Sequence, residues 1–264
     1  MRVIDFHTHA FPDALAERAM PVLEEEGNVK AALDGKVSSL LASMDRAGIE
    51  TAVLASIATK PNQFERILTW SESVASERLI PFPSVHPADP DAAAQVRRIA
   101  AEGYKGIKLH PYYQDFDLDE ERVFPLYGAL EEAGLLVLCH TGFDMAFSRI
   151  RKADPARILT VVERFPGLRF IASHLGAWED WEEVEKRFLG KPIYTDISYS
   201  VQFMPPERAK ALILAHPREY VLFGSDSPWT GQDEVLNYVL SLGLGADWER
   251  SILFENASRL LGLA

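Results

Sequence analysis

Eight short apolar runs recur along the chain, and each is cut off by polar residues. They are Val3–Phe6, Thr51–Ser56, Leu79–Val85, Gly106–Leu109, Leu135–Cys139, Leu168–Ser173, Ile193–Asp196 and Val221–Gly224. Runs of this length read as buried strands. Amphipathic stretches separate them. Ser38–Ala47 stops at Gly48, Asp91–Glu102 at Gly103 and Glu120–Ala133 at Gly134, while Asp154-Pro155 supplies a cap and a first-turn proline to a helix that finishes near Gly167. Glycine just past a helix end and proline just inside its start are the expected punctuation. Eight strand–helix units in 264 residues match a closed (β/α)8 TIM barrel, a single domain over residues 1–264. The alternative, an open doubly wound sheet, calls for a glycine-rich phosphate loop after its first strand, and His7-Thr8-His9 stands there instead. Pro81 and Pro83 fall in the third run, and each removes a ladder donor, which predicts irregular pairing of that strand.

Side chains alternate along a strand, so His7 and His9 are expected on one face of the first strand. Other runs end in Lys108-Leu109-His110, Leu138-Cys139-His140, Ala172-Ser173-His174 and Gly224-Ser225-Asp226. A lone histidine is usually a hydrogen-bonded structural residue. Here only His216 of the seven histidines falls at the end of a helix, and the other six sit at predicted strand ends. In a barrel those ends converge on one axis, where imidazoles and a carboxylate can hold a divalent ion.

Composition limits the partners. A formal net charge of −12 repels polyanions and disfavours a nucleic-acid role. The acidic runs at Glu24–Glu26 and around Glu179–Glu183 read as solvated helix faces. No apolar run is long enough to span a membrane, and the first strand begins without a secretory leader, so a cytoplasmic location and a small-molecule substrate are expected. The single Cys139 has no intrachain disulfide partner. The long connection from Ala10 to Lys36 carries Leu15, Ala19, Met20 and Leu23 at amphipathic spacing, which suggests a helix over the pocket, acting as a lid or as a subunit contact.

The segments Asp5-Phe6-His7-Thr8-His9, His140-Thr141-Gly142, Ser173-His174-Leu175-Gly176 and Phe223-Gly224-Ser225-Asp226-Ser227-Pro228-Trp229, with a closing Glu255–Leu261 helix, resemble the amidohydrolase superfamily, and most closely its amidohydrolase-2 branch of metal-dependent hydrolases and decarboxylases. The resemblance spans the whole chain. It implies that His7, His9, His140 and Asp226 bind a divalent metal, with one zinc expected and manganese or a second ion as alternatives. Such an ion lowers the pKa of bound water from about 15.7 to about 7. Asp226 would then shuttle the proton, and His174 would act as a catalytic residue on the water or the substrate carbonyl. Two-metal members of the superfamily often carry a carboxylated lysine at the end of strand four. Lys108 shares a face with His110, so either residue can reach the rim, and a single-metal site with Lys108 kept as a cation for substrate or for Asp226 is expected. His86, His110, Tyr112 and Trp229 are assigned to substrate binding at the barrel mouth, against the alternative that His86 and His110 only satisfy loop carbonyls. Members of this branch are often homodimers.

Three functions compete. The first is a metal-dependent hydrolase acting on a small amide, lactone or ester. The second is a nonoxidative decarboxylase using the same metal, with Lys60, Lys108, Arg149 or Arg151 available to a substrate carboxylate. The third is a barrel that binds metal or ligand without turnover, and retention of all five metal and catalytic positions weighs against it.

Overall fold

The computed structural model describes residues 1–263. Eight parallel strands follow the eight apolar runs: β1 (Ile4–Thr8), β2 (Thr51–Ala55), β3 (Leu79–Phe82), β4 (Gly106–Leu109), β5 (Leu136–Cys139), β6 (Arg169–Ala172), β7 (Tyr194–Asp196) and β8 (Val221–Leu222). Continuous ladders join β1-β2-β3 and β4-β5-β6-β7-β8. Individual bonds cross the two gaps. Between β8 and β1, Phe6 N donates to Phe223 O at 2.8 Å, Asp226 N to His7 O at 2.8 Å and His9 N to Ser227 O at 2.6 Å. Between β3 and β4, Lys108 N donates to Pro83 O at 2.9 Å. Pro83 has no amide to return, and the Ser84 hydroxyl donates instead to the Lys108 carbonyl at 2.8 Å. The prolines of the third run therefore thin the ladder without opening the (β/α)8 barrel.

The barrel interior is packed by Phe6, Val53, Ala55, Phe82, Leu136, Leu138, Ile171 and Leu222. The closing helix Asn256–Leu261 adds Ala257, Leu260 and Leu261 to this cluster. Outward strand residues such as Ile107, Val137, Cys139, Phe170 and Ala172 pack instead on the surrounding helices. That alternation is the period of two expected of a half-in, half-out strand.

One irregularity matters for function. The β1–β2 register passes from Asp5↔Ala52 to Thr8↔Leu54, so β1 spends three residues against two. This bulge allows Phe6 to stay in the interior cluster while His7, the next residue, meets Lys108 of β4 through its ring. Beyond β1, the helix Asp13–Gly27 turns back at Asn28, and Ala32 N bonds Pro228 O at 2.8 Å, which ties this excursion to the loop after β8. Among the described residues no helix is long and apolar enough to cross a membrane.

Gly106 shows how tightly β4 is fitted. A Cβ there would lie 2.5 Å from Phe82 Cε2 and 2.7 Å from the Leu136 carbonyl oxygen, a backbone atom with no rotamer to yield. We expect Gly106→Ala to cost about 1–3 kcal/mol by overpacking, measured by denaturant unfolding. An unchanged midpoint would contradict this packing.

Candidate active site

The bond lines between the side chains fix the tautomers of the first-strand histidines. His7 Nδ1 lies 3.0 Å from Asp196 Oδ2, and His9 Nδ1 lies 2.8 Å from the Ala55 carbonyl oxygen. Both partners only accept, so each Nδ1 carries the proton and each Nε2 presents a lone pair. The two Nε2 atoms are 3.2 Å apart, and Asp226 Oδ1 stands 3.4 Å from that of His7 and 3.3 Å from that of His9. Three electron-rich atoms in a buried triangle repel one another unless a cation lies among them. Sides of 3.2 to 3.4 Å also match the edges of a tetrahedron around a zinc-like ion with bonds of about 2.0–2.1 Å. These residues fit a divalent ion.

Lys108, expected as a cation for substrate or for Asp226, donates from Nζ to His7 Nε2 at 2.8 Å. It is 1 % exposed. Burial pulls its pKa down, against the opposing pull of Asp226 and Asp196. Burial and the Lys108 charge likewise lower His7 to about 4, which keeps the imidazole neutral as a ligand must be.

A second layer, unread in the sequence, orients this triangle. Asp196 at the end of β7 accepts from His7 through one oxygen, and its other oxygen takes the Ser198 hydroxyl at 2.5 Å and the His174 amide at 3.1 Å. Asp5 lies beneath. It accepts from Ser225 N and Oγ at 2.9 and 2.6 Å, from Gln232 Nε2 at 2.8 Å and from His7 N at 3.2 Å, and so ties β1 to the loop after β8. His174 and Asp226 both adopt left-handed backbone, with φ of 61° and 63°. For residues with a Cβ this conformation is strained, and it survives where neighbours over-determine it.

His140 and His174 form a separate pair. His174 Nδ1 donates to the Ser198 carbonyl at 2.9 Å and His140 Nε2 to the Phe143 carbonyl at 2.9 Å, which leaves His174 Nε2 facing His140 Nδ1 at 3.0 Å. Two lone pairs at that distance need a shared proton or a cation. His140, assigned from the sequence as a ligand, thus lies beside the His7–His9–Asp226 cluster and outside it. His110 stacks on His140 at 4.1 Å and 14°, and Asp144 Oδ2 stands 3.4 Å from His110 Nε2. These three residues are grouped closely, but nearly parallel rings cannot aim two lone pairs at one ion, so they make a poor second metal site.

The cluster floors a cavity of about 170 Å³. Lys108, His110, His140, His174 and Trp229 line it, as expected. His86 does not: its Nδ1 accepts from Ala88 N at 3.1 Å and closes a turn. Tyr112 is also outside the lining, with its hydroxyl held by the Ile150 carbonyl at 2.7 Å, and its neighbour Tyr113 takes the wall position. Leu23, Gly27 and Val29 complete the wall, so the excursion after β1 does cover the pocket. Asp144, Trp178 and Tyr199 are lining residues that sequence reasoning missed. His216 is structural: its Nε2 lies 2.9 Å from the Ile193 carbonyl, and its ring stacks on Phe188.

This architecture has close structural counterparts. An uncharacterized TIM-barrel protein of Bordetella bronchiseptica superposes with a TM-score of 0.77 at 21 % identity, over 100 % of this chain and 99 % of the other. The 5-carboxyvanillate decarboxylase of Sphingomonas paucimobilis gives 0.72 at 15 %, over 100 % and 99 %. The 5-carboxyvanillate decarboxylase of Novosphingobium aromaticivorans, crystallised with bound manganese, gives 0.72 at 16 %, over 99 % and 97 %. No curated protein matches the chain in sequence. The amidohydrolase family model matches residues 4–263, and with the triangle of His7, His9 and Asp226 at the mouth of a (β/α)8 barrel, the chain belongs to the amidohydrolase family.

Proposed function

We propose that the protein is a metal-dependent hydrolase that attacks a small carbonyl substrate, an amide, lactone or ester, with a water activated at the His7–His9–Asp226 cluster. The observation that carries this reading is the position of Asp226. Its Oδ1 faces both ligand nitrogens at 3.3 and 3.4 Å, at the floor of the cavity where a carbonyl group would be seated. A divalent ion held by His7 Nε2, His9 Nε2 and Asp226 supplies Lewis acidity and a water acidic enough to ionise near neutrality. Zinc suits the nitrogen-rich donor set, and manganese is the alternative.

The side chains perform the rest. Asp226, ionised, takes the proton from the attacking water and returns it to the leaving group. A proton shared between His140 Nδ1 and His174 Nε2, which lie 3.0 Å apart, would be placed to reach the substrate oxygen. The apolar wall excludes bulk water, which strengthens each of these electrostatic interactions. A second reading, nonoxidative decarboxylation by the same residues, is favoured by the buried Lys108 ammonium, which lies beside the ligands where a substrate carboxylate would dock. Release of carbon dioxide separates the second reaction from the first.

Asp226→Asn should lower turnover far more than metal content, because an amide oxygen still coordinates weakly and accepts no proton at neutral pH. Elemental analysis beside kcat checks it, and a metal-replete variant with near-normal turnover would contradict the shuttle. Asp196→Ala frees the His7 tautomer and should weaken metal affinity about 10–100-fold, read by competition with a chelating dye; undiminished affinity would show that the His7–Asp196 bond does not orient the ligand.

A further inference from the structure

We infer that the substrate is a compact, chiefly apolar ring compound carrying at most one negative charge, with its single carbonyl or carboxylate seated at the metal end of the cavity. This deepens the reading above and rests on the cavity being the site of reaction.

Charge in the cavity is confined to its floor. Lys108 is the sole lysine or arginine among the lining residues, and it sits at the floor, 2.8 Å from His7 Nε2, where it can serve only the group seated at the metal end. The lining carboxylates are Asp144 and Asp226, so a second anionic group on a substrate would meet repulsion from Asp144. The upper wall is Phe11, Leu23, Val29, Ile57, Phe143 and Trp229, which offers a carboxylate no cation. Cations near the rim are already spoken for. Arg151 binds Asp180 through two bonds of 2.8 and 2.9 Å, and Arg149 pairs with Glu179 while stacking 4.0 Å over Phe143. Lys60 is exposed and lies outside the lining. An unpaired carboxylate against such a wall loses its hydration without compensation, whereas a flat ring buries apolar area against the aromatic faces. The volume of about 170 Å³ suits one small ring. It falls below the range of about 300–1,000 Å³ of drug-sized sites.

Polar recognition at the wall comes from uncharged donors: the Tyr113 and Tyr199 phenols, the Thr59 hydroxyl and the indole N–H groups of Trp178 and Trp229, of which Trp178 Nε1 has no hydrogen-bond partner among the described residues. Among the described residues Tyr199 has only the Met145 sulfur at 3.9 Å as partner for its hydroxyl, and burial raises its pKa to about 12. It is a neutral donor for one uncharged substituent.

Benzamide, benzoate and isophthalate share a ring and differ in charge, so they test this directly by calorimetric titration of the metal-loaded and metal-free protein. Benzamide and benzoate should bind at millimolar concentration, and isophthalate about tenfold or more weaker than benzoate. Ile57→Arg, which brings a cation into the wall, should narrow or reverse that order without affecting the floor. Isophthalate binding as tightly as benzoate would overturn the inference, and so would failure of both benzamide and benzoate to bind. Binding is read without turnover, so the predicted order stands or falls independently of the proposed reaction.

Discussion

The hydrogen bond from His7 Nδ1 to Asp196 Oδ2 joins the first strand of the barrel to the seventh, and it decides where the His7 lone pair points. Reversal of that tautomer would put a proton on Nε2, facing His9 and Asp226, and the triangle would no longer accept an ion. The same aspartate fixes His174 through its backbone amide and positions Ser198, so one buried carboxylate orients residues from β1 and from the loops after β6 and β7. Such outer partners set ligand orientation and basicity in metal sites generally. The barrel is the frame that brings Asp196 and His7, 189 positions apart, to 3.0 Å.

The site also concentrates backbone strain. His174 and Asp226 both hold left-handed φ, and each is pinned by a bond to another strand: Asp226 N to His7 O at 2.8 Å, and His174 N to Asp196 Oδ1 at 3.1 Å. The bulge in β1 belongs to the same set of local departures, since it delivers His7 to the floor of the cavity without removing Phe6 from the core. Regular strands would pack as well and present fewer functional groups.

Much of this was legible in the sequence because the physical signals were local. Apolar runs of strand length, each stopped by polar residues, specified eight strands, and Gly48, Gly134 and Pro155 marked helix ends where they are found. The convergence of His7, His9, Lys108, His140, His174 and Asp226 followed from strand ends sharing one face of a barrel. Details of direction were not legible. Strict alternation puts Phe6 and His7 on opposite faces, and only the register slip against β2 reconciles them. Tyr112 and Tyr113 are indistinguishable by composition, yet a loop carbonyl claims the first hydroxyl and the cavity receives the second ring. Asp196 ends an apolar run as Asp226 does, and that shared signal was available to find it. Asp144 offered none, because its role depends on how the loop after β5 folds over His110.

The central claim is that one divalent ion sits among His7 Nε2, His9 Nε2 and Asp226 Oδ1, with the Lys108 ammonium giving up its bond to His7. Anomalous diffraction from crystals of the metal-loaded protein, collected at the metal edge, tests it most directly. The account predicts a single peak within about 2.0–2.2 Å of the two nitrogens and the carboxylate oxygen. A peak confined to His110, His140 and Asp144, or none at the triangle with Lys108 still bonded to His7, would contradict it.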